Sequence, residues 1–129
     1  MSKKERVKKV IVIDPVNETV SDTRYKSYEE LYDLGNFKLF TVQMVDYNSD
    51  TNKGNDLFID DEGLLKRNQR YFTFTGVGSF AGRGLLIGSD HKTGESIDTS
   101  WTIDQVIRAV SFKPEGFKID PYMEFVGFI

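Results

Sequence analysis

Lys66, Arg67 and Arg70 crowd into one short stretch, and Arg83 follows closely after Gly76, Gly78 and Gly82. Cationic side chains beside glycines, whose backbone N–H groups are left bare, are a common means of holding an anion. Asn68, Gln69 and Tyr71 add directional hydrogen bonds that charge alone does not supply. The candidate ligand site is therefore Lys66, Arg67, Asn68, Arg70, Gly76, Gly78, Ser79, Gly82 and Arg83, and its ligand class is a nucleotide or other small anion.

The same residues also have a plainer reading. Asp60-Asp-Glu-Gly63 places three acids just ahead of the bases, and neighbouring opposite charges on a surface contribute only about 0–1 kcal/mol per pair. The glycines suit a hairpin or bulge that needs positive φ and close backbone approach. Gly76-x-Gly78-x-x-x-Gly82 has one residue too many for a dinucleotide fingerprint, and no Gly-Lys-Ser/Thr follows. Leu85-Leu-Ile87 reads as strand, where a phosphate loop needs the start of a helix.

Other constellations are weaker. Asp46-x-Asn48-x-Asp50-x-Asn52 spaces oxygen ligands as calcium loops do, but Thr51 stands where the sharp turn needs glycine and Leu57 where a closing glutamate belongs. His91, the only histidine, lies in the turn Asp90-His-Lys-Thr-Gly94. Trp101 sits at the mouth of a helix, a position that suits a hydrophobic staple or core edge. With no cysteine in the chain, thiol nucleophiles, zinc–thiolate centres, iron–sulfur clusters and disulfides are excluded. Any catalysis falls to carboxylates, lysine, tyrosine or hydroxyls, and no cofactor is called for.

The elements that must position these groups follow from pattern. Val7–Asp14 is β-branched and bounded by Pro15, a strand, and a second covers Thr19–Arg24. Ser27-Tyr-Glu-Glu30 has capping-box spacing and Gly35 supplies a stop, which gives a short helix. Phe37–Tyr47 carries apolar groups on both faces, which predicts a long central strand. Asn48–Asn55 reads as a loop, and strands follow over Asp56–Asp60, Tyr71–Thr75 and Gly84–Gly88. Thr102-Ile-Asp-Gln105 opens a second capped helix with Val106, Ile107 and Val110 at helical spacing, and Met123–Ile129 suits a last strand. The expected fold is α+β, a mostly antiparallel sheet with two short capped helices, in one domain over residues 1–129 with an unstructured basic tail at 1–6.

At 129 residues the chain is long enough for a self-sufficient core. No apolar run is long enough to span a bilayer, and no signal-peptide pattern opens the chain, which suggests a cytoplasmic protein away from the membrane. The formal net charge is −3, and residues 1–9 hold five bases against one acid, so residues 10–129 carry 12 − 19 = −7. An acidic body disfavours direct binding to duplex nucleic acid.

Ile13-Asp14-Pro15, Leu31 and Leu34, Asp60-Asp-Glu-Gly63 with Leu65 and Asn68, Gly84-Leu-Leu-Ile-Gly88, Asp90 and Thr102-Ile-Asp104 together resemble the phage and plasmid family catalogued as domain of unknown function 3846. The resemblance covers about residues 7–112. One departure is Gln69, which stands where the family pattern has arginine directly after the asparagine. The resemblance implies a small accessory protein of a mobile element and no particular activity. It favours a non-enzymatic protein that binds a host or phage protein stoichiometrically, with interference in host defence as its purpose. Sequestration of a small anionic ligand and carboxylate-based hydrolysis are the alternatives, and a homodimer through an exposed strand edge is compatible with the pattern.

Overall fold

The computed structural model of the chain describes residues 6–63, 66 and 69–118. Residues 1–5 of the expected tail and the strand expected over Met123–Ile129 lie outside the described residues.

In chain order the elements are β1 (Lys8–Asp14), β2 (Thr19–Tyr25), α1 (Tyr28–Gly35), β3 (Phe40–Asn48), β4 (Lys53–Asp60), β5 (Tyr71–Phe74), β6 (Gly78–Ala81), β7 (Gly84–Asp90), β8 (Glu95–Ile97), α2 (Ile103–Ala109) and β9 (Val110–Phe112). A six-stranded sheet has the order β2-β1-β7-β4-β3, with β8 also paired to β7, and a three-stranded sheet has the order β6-β5-β9. Every pairing among the described residues is antiparallel. The α+β expectation holds.

The β1–β2 turn is built by Asp14. Its Oδ1 accepts the backbone N–H groups of Val16 and Asn17 at 3.0 and 3.3 Å, and its Oδ2 accepts the Asn17 amide at 2.9 Å. Burial pushes this carboxyl's pKa upward, but the bonds from Asn17 and Val16, aided by Arg83, outweigh it and leave the pKa below the ordinary value.

Local chemistry departs from expectation at α1. Ser27 occupies the N-cap without a side-chain hydrogen bond, and Glu30 instead accepts the Lys26 N–H at 2.6 Å. The left-handed residue that ends the helix is Asn36, with φ 58°. Gly35 is required for space, since a Cβ there would run into the Phe37 ring. α2 has its full capping box, with Thr102 accepting the Gln105 N–H at 3.2 Å and Gln105 accepting the Thr102 N–H at 2.8 Å. Val110 does not extend this helix; with φ −106° and ψ 137° it turns the chain into β9, where it pairs with Phe74.

Among the described residues the central strand is β7, and β3 is an edge. Phe37–Tyr47 was expected in the middle because its side chains are apolar on both faces, yet among the described residues β3 pairs only with β4. β7 takes the middle because its glycines admit close neighbours: a Cβ on Gly84 would lie 2.6 Å from Phe72 Cζ, and one on Gly88 would collide with the Asp98 carbonyl.

Strand alternation divides the core. Ile11, Ile13, Leu57, Ile59 and Leu86 leave one face of the large sheet to meet Phe72 and Phe74 of the small sheet and Val106 of α2. Val10, Phe58, Leu85 and Ile87 leave the opposite face to meet Tyr25, Leu31 and Phe37 beside α1. The large sheet thus has a face covered by the small sheet and a face covered in part by α1. Each fully buried side chain of this size contributes about 1.5–3 kcal/mol.

Candidate functional site

The three described cations proposed from sequence each pair with an acid, and the partners of Arg70 and Arg83, Glu18 and Asp14, sit in the one β1–β2 turn. Arg83 lies on the α1 side, where its Nη1 donates to the Leu34 carbonyl at 3.0 Å and its Nε stands 3.8 Å from Asp14 Oδ2. A guanidinium at the C-terminal end of a helix also suits the helix dipole. Arg70 lies toward the small sheet, where its Nη2 donates to Glu18 Oε2 at 3.1 Å and to the Lys113 carbonyl at 3.3 Å. Lys66 meets Asp60 Oδ2 at 2.5 Å. Each of the three cations is already matched by a carboxylate of the chain itself. Arg67 and Asn68 lie outside the described residues.

The glycine segment is a hairpin. Val77 N–H donates to the Phe74 carbonyl at 2.9 Å, and Gly76 supplies φ 81° within that turn. Gly78 begins β6, Ser79 shares a 2.7 Å hydroxyl contact with Thr73 across the β5–β6 pair, and Gly82, with φ 87°, donates its N–H to the Arg70 carbonyl at 2.9 Å. The N–H groups of Val77 and Gly82 are thus spent on backbone bonds of the hairpin.

A second polar cluster, unannounced by the sequence, is centred on Asn55, which is 3 % exposed. Its Nδ2 donates to Asp46 Oδ1 and Ser100 Oγ, both at 2.9 Å. Its Oδ1 accepts Thr99 Oγ1 at 2.7 Å and the Ser100 N–H at 3.2 Å. Trp101 Nε1 donates to Asp46 Oδ2 at 2.8 Å. The stretch with calcium-loop spacing therefore turns Asp46 toward Asn55 and Trp101, while Asn48 Oδ1 accepts the Asp50 N–H at 2.8 Å in a turn. No metal-binding group of three His, Cys, Asp or Glu occurs among the described residues. A depression of about 480 Å³ beside this cluster is lined by Asp46, Tyr47, Lys53, Asn55, Asp98 and Ser100. Its buried amide is saturated, so the cluster acts as a clasp between β3, β4 and the chain entering α2.

Among the described residues, an open apolar surface lies on the α1-side face of the sheet beyond the reach of α1. Val42 pairs with Phe58 and Met44 with Asp56, so both point to this face, yet they are 46 % and 59 % exposed. Tyr28, 52 % exposed, sets its ring 6.4 Å from that of Phe58 and shares a 2.9 Å hydroxyl contact with Ser96. Tyr47, 42 % exposed, packs its ring 4.7 Å from His91 and donates its hydroxyl to Asn52. Asp56 lies among them. Burial pushes its pKa up and the Asp46 charge adds to that, against the opposing pull of the Ser89 hydroxyl and His91. Nearby, burial pushes the Tyr25 phenol up to about 12.

Comparison with protein-family models, curated proteins and solved structures finds no match for this chain. The candidate site therefore rests on its geometry. Sequence reasoning passed over Val42 and Met44 because strand alternation gives the face of a residue and not what covers that face. Asn55 carried a legible signal: it shares the alternation of Leu57 and Ile59, and an amide on an apolar face must find partners.

Proposed function

We propose that the chain is a non-enzymatic binding protein that engages a protein partner through the sheet face bearing Tyr28, Val42, Met44 and Tyr47. The observation that carries this reading is the exposure of those four large side chains on one face. Tyrosines with a polar tip and an apolar body are suited to protein interfaces, and a half-buried carboxylate at Asp56 adds a charged contact for a basic group of the partner. The partner class, a host or phage protein, and interference with host defence as the purpose rest on the resemblance to a phage and plasmid family alone. The acidic balance of residues 10–129 suits a basic partner surface.

The test is site-specific photocrosslinking in the native cell. A photoreactive residue at Met44 should give a discrete protein adduct that a Val42→Asp substitution abolishes and that the same probe at Ser21, on β2, does not give. No adduct from position 44, or the same adduct from both positions, overturns the reading.

A further inference from the structure

The outer edge of β3 is its own complement. Asp61 N–H donates to the Leu39 carbonyl at 3.0 Å, so the odd residues of β3 address β4. Antiparallel alternation then sends the N–H and C=O groups of Phe40, Val42 and Met44 outward. The ladder is regular from Phe40 to Met44 and is interrupted by a bulge between Met44 and Asp46. The regular stretch is thus centred on Val42.

We propose that a second copy of this chain pairs with β3 in antiparallel fashion about a two-fold axis at Val42. In that register Val42 faces Val42 of the second copy, Phe40 faces its Met44, and Thr41 faces its Gln43. Apolar groups meet apolar groups on one face of the joined sheet and polar groups meet polar groups on the other. The Phe40–Met44 contacts set sulfur against an aromatic ring, a favourable pair. Residues 39–45 carry no charge, while Lys38 precedes them and Asp46 follows. The antiparallel arrangement therefore brings the base of each copy toward the acid of the other, where a parallel one would set like beside like.

The opposite edge of the sheet does not offer this. β2 carries Asp22 and Arg24 within its span, both exposed, and charges on an edge strand guard it against pairing. Main-chain pairing over five residues makes a small contact beside the roughly 1,600 Å² of a standard interface, so the association is expected to depend on concentration. Pairing would join the face proposed for the partner across two copies into one symmetric surface. In that respect the inference extends the protein-binding reading, but its test needs no partner.

Light scattering on the purified full chain over a concentration series should show a mass rising from one to two chains, and Val42→Lys should hold it at one. Because the chain has no cysteine, a Val42→Cys variant reports the axis directly: oxidation should give a disulfide-linked dimer, and a Ser21→Cys control should not. Circular dichroism spectra matching that of the parent exclude misfolding of either variant. A chain monomeric into the millimolar range, a dimer untouched by Val42→Lys, or crosslinking equal at positions 21 and 42 overturns the proposal. A monomer that dimerises only after removal of residues 119–129 would give the edge to that segment and equally overturn it. Failure of the photocrosslinking experiment alone would remove the partner and leave the dimer standing.

Discussion

The indole N–H of Trp101 donates to Asp46 Oδ2 at 2.8 Å while the other oxygen of that carboxylate accepts from Asn55. An edge strand and the entry to a helix are thereby fastened to one buried amide. Asn55→Ala removes the donor to Asp46 and Ser100 and the acceptor of Thr99 and Ser100, leaving a buried hydroxyl without its partner. Such losses cost about 1–3 kcal/mol each in desolvation. A fall of about 2–3 kcal/mol in urea unfolding is expected, with the tryptophan emission of the folded protein shifted by the altered setting of Trp101.

Two glycines separate two kinds of constraint. At Gly88 a methyl group would meet the Asp98 carbonyl, which is backbone and cannot swing aside. Gly88→Ala should therefore cost at least about 1–3 kcal/mol, as overpacking does. At Gly76 a methyl group would meet nothing within 4 Å, but φ is 81°. Gly76→Ala should cost about 1–2 kcal/mol from the left-handed backbone alone. Equilibrium denaturation of both variants checks the order.

Asp56 makes stability depend on pH in the direction opposite to Asp14. Its folded pKa lies above the unfolded value, so above the folded pKa the native state bears a charge that burial disfavours. As pH falls through the folded pKa the native state takes up the proton first, and stability contributed at this position rises until the unfolded carboxyl is protonated as well. Asp56→Asn should therefore raise the melting temperature at neutral pH. The gain should fade as pH drops through the folded pKa and vanish below the unfolded one, as melting curves across that range would show.

Tyr25 should titrate late. Its phenol is pushed up to about 12 by burial, and the neighbouring Tyr28 and Asp98 act in the same direction against the pull of Ser96. Ultraviolet titration of the folded protein should show one phenol ionising well after the rest, and Tyr25→Phe should remove that step. Because the folded pKa is raised, the stability tied to the neutral phenol is fully present below about 10, the unfolded value, and declines as pH climbs toward 12.

Most of the element pattern was legible from local chemistry. Asp14 with Pro15, the Thr102–Gln105 box and the β-branched run of β1 each have a short-range cause, and each lies where its chemistry puts it. The place of β3 was not legible, because apolar residues on both faces describe a strand between neighbours as well as one awaiting a neighbour. The cations were legible as charges, and their partners were not. Arg70 and Arg83 meet Glu18 and Asp14, which come from one turn distant in sequence that no local pattern ties to them. The glycine spacing was legible as a hairpin that needs positive φ, and the φ values of Gly76 and Gly82 fit it.

The contrast between β3 and β2 has a consequence for how assembly ends. A sheet with two sticky rims would add molecules without limit and grow into a fibre. Here the β3 rim of the large sheet is neutral over residues 39–45 and its β2 rim carries Asp22 and Arg24, so joining β3 to β3 would leave the charged β2 rims of that sheet facing outward. On the proposed pairing, growth through this sheet would stop at two copies, and the uncharged β3 stretch would be held within a closed particle.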